Sequence, residues 1–73
     1  MIINKTSNMY VFSFAGKDVI YPASAILFIT NAYSEMISVR LKASRKNVLS
    51  FSYKDVANYQ ANSASELVQQ IIN

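Results

Sequence analysis

Five of the seven basic residues, Arg40, Lys42, Arg45, Lys46 and Lys54, fall in one stretch of the chain, with no acid between Glu35 and Asp55. Cations grouped this way can neutralise phosphates, and the counterions they release drive sequence-independent binding to nucleic acid. Arg40 and Lys42 alternate with Val39, Leu41 and Ala43, so a strand would carry both on one face. Two residues along a strand span about 7 Å, near the separation of successive phosphates. Arg45 and Lys46 would extend the positive surface into a turn. Single-strand binders add aromatic platforms for base stacking, and Phe28, Tyr33 and Tyr53 are the candidates. The same cations also suit a plainer use, a solvated face that discourages edge-to-edge pairing.

Catalytic chemistry has little to work with. The chain has no His and no Cys, so it lacks a general base that titrates near neutral pH and a thiolate nucleophile. The four acids, Asp18, Glu35, Asp55 and Glu66, fall near predicted turns or a helix start, where carboxylates form turns and caps. Gly16 is the only glycine, which excludes a glycine-rich phosphate loop. A zinc, copper or haem site would have to be assembled from Asp, Glu, Met and Tyr. The expectation is a protein that is not an enzyme and takes no metal or cofactor.

The elements that must position the basic cluster can be read from periodicity. Residues 36–53 form a hairpin: Ile37, Val39, Leu41 and Ala43 alternate with polar partners, as do Leu49, Phe51 and Tyr53. Ser44, Arg45, Lys46 and Asn47 supply the turn. Residues 9–15 make an earlier strand, with Tyr10, Phe12 and Phe14 on one face and Met9 and Val11 on the other. Gly16-Lys17 suits a two-residue turn with Gly first, leading into a short strand at 18–21 that Pro22 ends. Residues 25–31 are apolar on both faces. Ile26, Phe28, Ile29 and Thr30 favour a strand there, although Pro22 and Ala23 leave a helix start open.

The strongest local signal lies near the end. Ser63-Ala64-Ser65-Glu66 is a capping box, and Ala64, Leu67, Val68, Ile71 and Ile72 fall on one face of the helix it opens. So short a helix would not persist alone; it must dock on the sheet. The expected fold is α+β: an antiparallel β-meander of four or five strands followed by one C-terminal helix, in a single domain over residues 1–73.

A 73-residue chain is marginal alone, since it buries only about 60% of its unfolded surface. Without cysteines or a metal site, a partner subunit is the remaining stabilising device. One helix covers part of one sheet face, which leaves Met9, Val11, Ile26, Phe28 and Val48 as candidates for an oligomer interface. The opening Met1-Ile2-Ile3-Asn4-Lys5-Thr6 lacks a basic region followed by a long apolar run, and no segment approaches the roughly 20 apolar residues of a membrane span. A cytoplasmic or virion-associated protein without a signal peptide is expected.

Three segments together carry a resemblance. They are Tyr21-Pro22-Ala23-Ser24-Ala25-Ile26-Leu27-Phe28-Ile29, Ile37-Ser38-Val39-Arg40-Leu41 and Ser65-Glu66-Leu67-Val68-Gln69-Gln70-Ile71-Ile72. An aromatic-proline turn, an apolar strand, an alternating hairpin and a terminal helix in this order resemble small proteins encoded by tailed phages of gut bacteria. The resemblance implies a virion or accessory protein and transfers no site residue. The order of strands before a helix is also similar to that of dimeric single-strand DNA-binding proteins. The functional expectation is therefore a non-catalytic structural or interaction module that self-associates through its sheet, alone or with other protein subunits. The alternative is a nucleic-acid-binding protein using Arg40, Lys42, Arg45 and Lys46.

Overall fold

A computed structural model describes residues 1–73. Six strands precede one helix: β1 (Ile2–Lys5), β2 (Met9–Phe14), β3 (Lys17–Pro22), β4 (Ile26–Thr30), β5 (Met36–Leu41), β6 (Asn47–Ser52) and α1 (Ala64–Ile72). The class is α+β with a C-terminal helix, but the strands do not make one meander. They divide into two antiparallel sheets, β1-β2-β3 (sheet A) and β4-β5-β6 (sheet B). The division falls at a 3₁₀ turn, Ala23–Ala25, directly after Pro22. Proline cannot extend the ladder, and the turn carries the chain from one sheet to the other.

Alternation decides which faces meet. Tyr10 and Phe12 of β2 are buried beside Ile3 of β1, and Ile26, Ile37, Val39 and Phe51 are buried on sheet B. Rings bridge the sheets: Phe28 meets Tyr10 edge-on at 5.3 Å between centres and Phe12 at 6.3 Å, while Phe51 lies 6.2 Å from Phe12. Edge-to-face and tilted pairs at these distances add to the stabilisation from burial alone. Val56 and the helix residues Ala64, Leu67 and Ile71 complete one core of 11 residues. Ser63 Oγ accepts from the Glu66 N–H at 3.1 Å, the first half of the capping box. The second half is displaced by one residue, because Glu66 Oε2 accepts from the Asn62 N–H at 3.3 Å rather than from Ser63.

Three local features depart from the sequence reading. β1 is not predicted by periodicity. Its Ile3 sits with its backbone clamped by a side chain: Asn58 Oδ1 accepts from Ile3 N at 3.1 Å, and Asn58 Nδ2 donates to Ile3 O at 2.8 Å. Ala57 N donates to Met1 O at 2.8 Å alongside. An edge strand with unpaired polar groups invites a second chain; here residues 57 and 58 occupy that edge. The β2–β3 turn is Ala15-Gly16, one residue earlier than Gly16-Lys17, since Phe14 pairs with Lys17. Both turn residues have positive φ, 52° and 74°, the geometry whose twist matches a hairpin. Finally, β5 ends at Leu41, so Lys42 and Ala43 belong to the turn. Arg45 takes a left-handed φ of 62° there, and its N–H donates to Leu41 O at 2.8 Å.

Candidate functional site

The two sheets bury their inner faces against each other and expose their outer ones. On sheet A the outer face is apolar at its centre. Val11 stands opposite Ile20, and Met9 opposite Pro22, while Ile2 follows on β1. Ile20 is 53% exposed and Ile2 43%. Polar groups border them: Asn4, and Ser13, whose Oγ donates to Asp18 Oδ1 at 2.7 Å. An exposed apolar group flanked by polar residues is a feature that protein interfaces share.

The five interface candidates do not share this surface. Met9 and Val11 lie on it. Ile26 is 4% exposed and Phe28 packs among the core rings, because the second sheet, absent from a single-meander reading, covers them. Val48 sits at a bulge where β6 carries one residue more than β5 between Val39 and Arg40, and it packs against the core. Sequence reasoning missed Ile2 and Ile20. The signal for Ile20 was present, since it alternates with the half-buried Val19 and Tyr21.

The outer face of sheet B carries Leu27, Ile29 and Met36 at one side and Ser38, Arg40, Asn47 and Ser50 at the other. With its amide oriented to satisfy nearby carbonyls, Asn47 spans the bulge. Its nitrogen donates to Val39 O at 3.2 Å and Leu49 O at 3.3 Å, and its oxygen accepts from Ser50 Oγ at 3.0 Å.

The cations separate into two groups. Lys54 lies 3.2 Å from Glu35 Oε2, and Ser52 Oγ donates to Glu35 Oε1 at 3.1 Å. The Lys54 and Ser52 hydrogen bonds hold the Glu35 carboxyl below its ordinary value, and Glu35 holds Lys54 above its own. Lys5 donates to Ile72 O at 2.9 Å, with its ammonium 5.7 Å from the Tyr10 ring centre; Lys17 stands 5.4 Å from that of Phe14. Arg40, Lys42, Arg45 and Lys46 make no ion pair, and Arg40 Nε is hidden from water without a hydrogen-bond partner. The stacking candidates do not gather round them. Phe28 is partly buried against the core, and Tyr33, 99% exposed, occupies the β4–β5 turn at the other end of β5.

Two clefts complete the surface. One, about 490 Å³, lies between Tyr53, Lys54, Tyr59 and Asn62. The other, about 260 Å³, runs between sheet and helix, with Tyr10, Ile26, Leu27, Phe28 and Val68 in its walls and Lys42 on its rim. No three acids come together as a metal cluster would require, and no helix is long and apolar enough to cross a membrane. No family model matches the chain, and no curated protein or solved structure matches it either.

Proposed function

We propose that this chain is a non-catalytic interaction module that self-associates through the outer face of sheet A. The observation that carries the reading is the apolar patch of Met9, Val11, Ile20 and Pro22 on the outer face of sheet A, with Ile2 diagonal to Val11 and Asn4, Ser13 and Asp18 along two of its sides. Asp18 is the one charged residue on this face, so two copies meeting there would bury little charge. Three strands about 4.8 Å apart and about 20 Å long present about 300 Å² of flat area. Two such faces bury about twice that, below the roughly 1,200 Å² of a standard stable interface. Association is therefore weak and concentration-dependent, and larger assemblies would strengthen it through repeated contacts. The resemblance to small phage-encoded proteins supports a virion or accessory role. Sedimentation velocity across a concentration series tests the reading. The parent should rise in mass from 8.2 kDa, and Ile20→Lys should hold it at the monomer. A parent that stays monomeric at millimolar concentration would overturn it.

A second reading rests on the four uncommitted cations. Arg40, Lys42, Arg45 and Lys46 would track a nucleic-acid backbone from the opposite side of the molecule. Replacing all four by Ser should abolish oligonucleotide binding and its salt dependence, since each lost phosphate contact lowers the slope of log affinity against log salt by about 0.7 to 0.9. Salt-independent binding by the parent, or none, removes this reading.

A further inference from the structure

The cleft between sheet and helix sets one cation beside apolar walls. Its walls are apolar: Tyr10 from β2, Ile26, Leu27 and Phe28 from β4, and Val68 from α1. Its one charged lining residue is Lys42, and no acid lines it. Lys42 is held there by its own backbone, whose N–H donates to Ala25 O at 2.9 Å and continues the β5–β4 ladder past the end of the strand. Arg40, two residues earlier, lies on the outer face of sheet B as the cross-strand partner of Leu27 and does not line the cleft. On the helix side, Lys5 reaches Ile72 O and lies against the Tyr10 ring, so a second ammonium stands near the same walls.

The geometry points to a head-and-tail ligand: a free medium-chain fatty carboxylate, its alkyl tail in the cleft and its head at Lys42. A volume of about 260 Å³ has room for about nine groups the size of a water molecule, at about 30 Å³ each. That suits one short alkyl chain and is too narrow for a folded segment of a partner. The apolar walls are as poor a match for a sugar-phosphate backbone as they are a good one for methylenes, whose burial is favourable. The site is independent of the outer face of sheet A and does not use Arg45 or Lys46.

Calorimetric titration with decanoate, decanol and decyltrimethylammonium, all below their micelle concentrations, tests the assignment. Decanoate should bind saturably at one site per chain, decanol more weakly, and the cationic analogue not at all. Lys42→Met keeps the aliphatic stem and removes the charge; it should lower decanoate affinity at least tenfold, as the loss of one charge-assisted hydrogen bond does, and leave decanol affinity unchanged. The double variant Arg45→Ser, Lys46→Ser should bind decanoate like the parent. The proposal is overturned by no saturable binding, by equal binding of the cationic analogue, or by an equal loss in the double variant, which would mark a diffuse charge effect. Binding to anionic phospholipid vesicles without binding to free decanoate would also overturn it in favour of a membrane surface.

Discussion

Asn58→Asp exchanges an amide nitrogen for an oxygen and should unfasten β1. The Asn58 side chain presents an acceptor to Ile3 N at 3.1 Å and a donor to Ile3 O at 2.8 Å, as a neighbouring strand would. A carboxylate keeps the first contact and turns the second into two oxygens facing each other. Losing a hydrogen bond costs about 1 kcal/mol, and a carbonyl left without a partner costs about 1–3 kcal/mol when water cannot reach it. Ile3 is fully buried, but Asn58 is exposed, so water relieves part of the second cost. About 2 kcal/mol in all is expected, against roughly 4–11 kcal/mol for a chain of this size. In a domain this small that lowers Tm by about 8–16 °C.

The sign of the pH dependence makes the test specific. A protonated carboxyl can donate to Ile3 O and restore both contacts, so folding favours the protonated form and raises the introduced group's pKa above its unfolded value of about 3.9. The penalty is therefore complete above the folded pKa and shrinks as pH falls through it. Thermal melts of parent and variant at pH 7 and pH 3 should show a wide gap that narrows in acid, whereas Asn58→Ala should give a gap of similar size that does not. A variant as stable as the parent at pH 7, or a gap that ignores pH, would refute the edge-clamp reasoning.

Leu67→Ala and Ile71→Ala, each removing a side chain that is 1% exposed, should cost about 2–5 kcal/mol in urea denaturation, whereas Ser63→Ala, which removes only the cap, should cost about 1 kcal/mol. Native-like stability in either core variant would show that α1 is not docked. Ala15→Asn should raise stability by about 0.5–1 kcal/mol, because Ala15 holds φ 52° and Asn accepts the left-handed region more readily; a lower Tm would contradict the assigned turn. The lowered Glu35 carboxyl contributes stability that is present above its unfolded pKa and lost as pH falls through its folded value. Glu35→Gln should therefore narrow the difference in denaturation midpoint between pH 7 and pH 2, modestly and less at high salt, since both partners are exposed.

What the sequence disclosed was local. The capping box fixed the start of α1, and the inward stripe of Tyr10, Phe12 and Phe14 follows directly from period-two alternation. The β-branched and aromatic residues of 26–30 decided for strand over helix at β4. What it concealed was pairing at a distance. Ile2-Ile3-Asn4-Lys5 shows no alternation long enough to read, and its place as a strand depends on Asn58, 55 residues away. Nothing in the apolar run at 26–29 says that a second sheet will cover it, so Ile26 and Phe28 read as surface until both sheets are seen. The basic cluster was legible as a charge count. Which of its members are engaged was not, because the Glu35–Lys54 pair joins residues from the two ends of the hairpin.

The fastening of β1 has a consequence for how the chain reaches its fold. Four contacts hold this first strand from outside its sheet: Met1 N to Asp55 O, Met1 O to Ala57, Ile3 to Asn58 and Lys5 to Ile72 O. All four partners lie within residues 55–72. Sheet A can pair its own strands early, since hairpins close locally within microseconds. Its outer edge, however, stays unsealed until residues 55–72 are in place, and non-local closures of this kind slow folding. During synthesis β1 is made well before the residues that secure it, and until they follow the nascent chain presents an open edge to its neighbours.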